Sequence, residues 1–125
     1  MLNEIPFEVR EFIKKYISSV SLLELLLLMK RNPQRSWTAE ELSGEMRTNN
    51  SYASLQLAEL VDSKLVIPGD RQGSFRLTEN PEDNKMLSEL EFLYNNRRSS
   101  LINSIYAQPM DSIRDFANAF KIKKD

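Results

Sequence analysis

The stretch from Asn49 to Leu60 reads NNSYASLQLAEL and sets hydrogen-bonding side chains at helical spacing. Asn50 and Gln56 carry amides that pair with an adenine edge, the Ser51 hydroxyl suits either strand, and Tyr52 adds a phosphate or stacking contact. These residue types serve recognition rather than bond-making. Lys and Arg are missing between Asn49 and Ser63, however, and the cations that could hold phosphates stand around the stretch: Arg35, Arg47, Arg71 and Arg76. From Trp37 to Lys64 five carboxylates (Glu40, Glu41, Glu45, Glu59, Asp62) face two cations (Arg47, Lys64). Since affinity for a polyanion comes largely from phosphate neutralisation, this balance predicts modest, salt-sensitive binding per subunit.

Other chemistry is poorly provided for. The 125 residues include no Cys and no His, which removes disulfides, thiolate chemistry, imidazole catalysis and nearly every zinc site, so neither enzyme activity nor a cofactor or metal is expected. The pairs Glu40/Glu41 and Asp111/Asp115 sit at helix starts, where they complement the dipole. No phosphate-cradling glycine loop occurs. A net charge of −1 gives no global field toward nucleic acid. The opening MLNEIPFEVREF lacks a signal-peptide pattern, which points to the cytoplasm, and LLELLLLM (Leu22 to Met29) is too short to span a bilayer. No lipidation motif marks the tail.

The recognition stretch needs elements to hold it. Ile5, Val9, Phe12, Ile13, Tyr16 and Ile17 predict an amphipathic helix from Pro6 to Ile17. Ser21, with Glu24 three residues on, predicts the cap of a central, leucine-rich helix to Arg31. Trp37 sits in a short extended segment. Thr38 and Glu41 form a second capping-box spacing, for a helix to about Met46, and a brief connector leads to a helix capped by Asn50 or Ser51 and running to about Ser63. The runs Leu65 to Ile67 and Ser74 to Thr78 flank a Gly-containing loop and predict a hairpin. A single helix that begins at Asn80-Pro81-Glu82-Asp83 and persists to Gln108, about 26 residues, would span about 39 Å. Asp111 then caps a last helix with Ile113, Phe116 and Phe120 on one face.

The string WTAEELSGEMRTNNSYASLQLAELVDSKLVIPGDRQGSFRLT resembles the winged helix-turn-helix domain of small bacterial transcriptional regulators, MarR-like ones included. The tail DSIRDFANAFKIKKD is similar to the ending of small uncharacterised bacterial proteins of this architecture. The resemblance implies a mainly α fold, a three-helix core with a β-hairpin wing, over residues 1–80, and a C-terminal helical dimerisation arm over residues 81–125. It implies a buried side of the recognition helix made by Ala53, Leu57 and Leu60, with Leu65 against the hairpin. It also implies a homodimer on double-stranded DNA, with Asn50, Ser51, Tyr52 and Gln56 toward the groove and Arg47, Arg71 and Arg76 on phosphates. Leu55 stands where such helices often carry a polar or basic side chain, and Lys64 replaces a frequent Gly.

Leu55 beside Tyr52 makes an apolar pair at i and i+3, the mark of a protein contact, so the alternative is a winged-helix adaptor that binds a protein partner and not DNA. Asn50 and Ser51 equally suit a role as helix caps alone. For the long helix, the first half is expected to pack on Phe7, Phe12 and Tyr16. Leu101, Ile102, Ile105 and Tyr106 are expected to lack such cover and to meet a second copy, clasped by Ile113, Phe116 and Phe120. A cleft between the leucine-rich helix and the C-terminal helix is the expected place for an effector.

Overall fold

A computed structural model describes residues 5–107 as six helices and a small sheet. Pro6 leads into α1 (Phe7–Tyr16), whose Val9, Phe12 and Ile13 turn inward, with the Phe12 and Tyr16 rings 4.8 Å apart. Phe7 is instead 66% exposed and takes no part in that packing. Helix α2 (Val20–Arg31) begins two residues earlier than its capping-box spacing predicts, because Ser19 supplies the cap by accepting from the Leu22 amide. Leu22, Leu23, Leu25, Leu26, Leu27 and Met29 are all buried, so α2 is enclosed on several sides, as leucines around the whole helix demand.

Trp37–Thr38 forms β1, and Thr38 then caps α3 (Ala39–Met46) in a complete box: its hydroxyl accepts from the Glu41 amide, and Glu41 accepts from the Thr38 amide. Arg47 ends α3 in the left-handed region at φ 57°. Helix α4 (Asn50–Asp62) follows directly, with Ala53, Leu57 and Leu60 buried as expected. Lys64 adopts φ 67°, the conformation that glycine takes without cost.

Strands β2 (Val66–Pro68) and β3 (Ser74–Leu77) make the wing, and β3 lies between β2 and β1 in an antiparallel sheet that sets Trp37 opposite Phe75. The loop between them is folded back on the sheet. Ser36 Oγ accepts from the Asp70 amide, and Ser74 Oγ accepts from the Arg71 amide while donating to the Arg71 carbonyl. Gly69 fits there because a Cβ would come within 2.7 Å of the Ser36 and Ser74 side chains.

Asn80 caps α5 (Pro81–Asn96) by accepting from the Asp83 amide, with Pro81 in the first turn. Leu87, Leu90 and Leu93 are buried and α5 packs on both α1 and α2. The single long helix expected to Gln108 is not what forms. The chain breaks at Arg97 (φ −143°, ψ 50°) and restarts as α6 (Arg98–Tyr106). A straight continuation would carry Leu101 and Ile105 past the core at about 1.5 Å per residue. The break returns them against α1, where they are 0% and 6% exposed. Both therefore belong to the core of this chain rather than to a surface awaiting a second copy. Ile102 is half-buried, Tyr106 is 72% exposed, and Ile113, Phe116 and Phe120 lie outside the described residues.

Leu101→Ala is expected to lower stability by about 2–5 kcal/mol, and Tyr106→Ala by under about 0.5 kcal/mol. Urea unfolding followed by circular dichroism measures both.

Candidate nucleic-acid interface

The N-terminus of α4 is freed for contact by the residue before it. Asn49 Oδ1 accepts from the Tyr52 amide at 2.7 Å, so capping falls to Asn49 and not to Asn50 or Ser51. Asn50 and Ser51 are exposed, Tyr52 is 40% exposed and Leu55 is 69% exposed. These four make one outward patch. Arg47, in the turn just ahead, is exposed and has no ion-pair partner among the described residues.

Gln56 does not join the patch. It is 5% exposed and donates from Nε2 to Ser21 Oγ at 2.9 Å, tying α4 to the start of α2. Its position explains this, because it lies three residues past Ala53 and four before Leu60, on the buried stripe. One turn further on, Ser18 donates to Glu59 Oε2 at 2.7 Å, a second tie from the α1–α2 linker that also engages one carboxylate of the helix.

The cations of the wing are occupied by the molecule itself. Arg71 Nη2 donates to the Ser36 carbonyl at 2.9 Å and to Glu41 Oε1 at 3.3 Å. Arg35 Nη2 is 3.9 Å from Glu41 Oε2, and its guanidinium stacks 3.5 Å from the centre of the Trp37 ring. Glu41 is thus approached by two guanidiniums, both about half exposed. The Thr38 amide first, then Arg71 and Arg35, hold its carboxyl below the usual range. Arg76 is elsewhere, on β3, donating to Glu79 Oε2 at 2.8 Å with most of its side chain covered. Arg35 was visible in the sequence only as a nearby cation; its place over Trp37 depends on strand pairing.

Beside the patch runs a groove of about 340 Å³ between α3, α4 and β3, lined by Ala39, Ser54, Leu57, Ala58, Val61 and Phe75 with Asp62 at its edge. The cleft expected between the leucine-rich and C-terminal helices also exists, about 300 Å³ in volume, with Glu24, Leu28, Arg31, Met46 and Tyr94 in its walls. There Tyr94 donates to Glu24 Oε2 at 2.8 Å; burial, then Glu24, raises the phenol above its usual range. Among the described residues no cluster of His, Cys, Asp or Glu could hold a metal, and no helix is long and apolar enough to cross a membrane.

The fold recurs in solved structures. MepR, a transcription regulator of the Staphylococcus aureus multidrug efflux pump MepA, superposes with a TM-score of 0.55, over 94% of this chain and 86% of that one, at 13% identity. A MepR mutant from a multidrug-resistant S. aureus clinical isolate gives 0.52 over the same shares, at 11% identity. The fold is a MarR-like winged helix. No family model and no curated protein matches the chain by sequence. At these identities the winged-helix likeness is one of fold, with the hairpin β2–β3 as the wing and α4 as the second helix of the helix-turn-helix.

Asn49→Ala is expected to cost about 1 kcal/mol through loss of the cap, and Asn50→Ala under about 0.5 kcal/mol. Thermal or chemical unfolding of the two variants separates the capping residue from its neighbour.

Proposed function

We propose that the protein is a DNA-binding transcription regulator acting as a homodimer, with Asn50, Ser51 and Tyr52 at the base edges and Arg47 and Arg71 on phosphates. The observation that carries this is the outward first turn of α4, whose polar side chains are spared from capping by Asn49. Its amide-rich start suits a phosphate, and its side chains suit base edges. A fold shared with a transcription regulator supports the same reading. Arg76, paired with Glu79, has a smaller part in it than Arg71.

The dimer reading rests on a second surface. Phe7 of α1, Phe92 of α5 and Tyr106 of α6 are all more than half exposed, on three helices that pack on one another. Burying aromatics of this size is the strongest apolar incentive the described surface offers. In this reading residues 81–125 are the dimerisation arm, with Ile102 and Tyr106 the α6 side chains that remain available to a partner copy. A dimer doubles each phosphate contact and sets two recognition helices for a palindromic site.

A protein-binding adaptor is the second reading, favoured by a specific feature. Leu55 is 69% and Tyr52 40% exposed on the same helix whose Ser54, Leu57, Ala58 and Val61 line the apolar groove, and five carboxylates fall between Trp37 and Lys64. That is an uncommon surface to offer a polyanion.

Fluorescence anisotropy with genomic duplex fragments at low salt decides between them. Binding is expected to weaken by at least about tenfold on Arg47→Ala/Arg71→Ala and to fall steeply with salt. No binding at about 20 mM salt would overturn the regulator reading in favour of the adaptor.

A further inference from the structure

We propose that Glu41 occupies a phosphate clamp formed by Arg35 and Arg71, so that the carboxylate stands in for a DNA phosphate until DNA displaces it. This rests on the regulator reading and names the phosphate site and the residue that restrains it. The geometry is that of an occupied anion site. Arg71 reaches one Glu41 oxygen at 3.3 Å and Arg35 stands 3.9 Å from the other, so one carboxylate is shared by two forks. Carboxylate and phosphate are the two anions that match a guanidinium fork.

Both arginines are held in place independently of Glu41. Arg71 is anchored by the Ser36 carbonyl and by the folded-back wing loop, and Arg35 by the face of Trp37. Removing the carboxylate charge therefore leaves the clamp assembled. Glu41 lies in the first turn of α3, whose Ala39 lines a groove together with the exposed Ser54 and Ala58 of α4 and Phe75 of the sheet, so the clamp stands on the helix that leads into α4. Exchange is cheap, because ion pairs this exposed contribute less than about a factor of five each to an equilibrium constant.

Glu41→Gln tests the clamp cleanly, since Gln also serves the third position of a capping box and keeps the bond from the Thr38 amide. Glu40→Gln, one residue away and exposed, makes the same change in net charge without touching either arginine. In anisotropy titrations Glu41→Gln is expected to bind duplex DNA about 3- to 10-fold more tightly and to steepen the salt dependence by roughly one phosphate. Arg35→Ala/Arg71→Ala in the Glu41→Gln background should abolish the gain. Equal tightening by Glu40→Gln, or unchanged or weaker binding by a Glu41→Gln protein with the wild-type unfolding midpoint, overturns the clamp.

A second readout does not depend on DNA. Pyrophosphate titrated into the Glu41→Gln protein is expected to shift the side-chain NεH resonances of Arg35 and Arg71, and to do so more weakly in the wild type. Should that shift occur while neither protein binds DNA, Arg35 and Arg71 form an anion site, but its DNA role and the regulator reading both fail. Should neither DNA nor pyrophosphate bind, both fail.

Discussion

Enclosure of α2 is the constraint on which the rest depends. Six of its twelve residues are buried apolar side chains, and they meet the sheet on one side and α5 on another. A helix with that much hydrocarbon cannot sit at a surface, so every other element is arranged as its cover. Val9, Phe12 and Ile13 of α1, Leu42 of α3, Leu57 and Leu60 of α4 and Leu101 and Ile105 of α6 are buried in the same cluster, with α6 packed on α1 and α5. The break at Arg97 follows from the same demand, because only a bent arm brings its apolar stripe back to the core.

With the core so arranged, α4 is left with one buried stripe and one outward face, and the chemistry of that face is divided. Its first turn is polar and open, which suits a groove. Further along it turns apolar at Leu55, Ala58 and Val61, beside an apolar groove. Cations come only from neighbouring segments, and two of the nearest, Arg35 and Arg71, are turned onto Glu41. Two guanidiniums thus share one carboxylate, while Arg47 ahead of α4 has no ion-pair partner among the described residues.

Much of this was legible in the sequence wherever it was local. Thr38 with Glu41 three residues on gave the start of α3, Ala53, Leu57 and Leu60 gave the buried side of α4, and Asn80-Pro81 gave the start of α5. Caps were misplaced by one or two residues at Ser19 and Asn49, because neighbouring Ser and Asn residues are equivalent in propensity and only the fold chooses among them. Gln56 was read by its chemistry as a base-contacting side chain, although its spacing already put it on the inward stripe. The pairing of Arg71 with Glu41 and of Arg76 with Glu79 was not read either. The first joins residues 30 apart through strand pairing, and no local pattern encodes it. The long helix was overextended because periodic leucines continue across Arg97 even though the axis does not.

The two hydrogen bonds between α4 and the neighbourhood of the α2 start, Gln56 to Ser21 in its first turn and Ser18 of the preceding linker to Glu59, have a mechanical consequence. They grip α4 at points about 4.5 Å apart along its axis and on adjacent lines of its surface. Such a grip resists roll. The buried stripe of Ala53, Leu57 and Leu60 sets which face of α4 turns inward, and two serines from a different segment pin that setting.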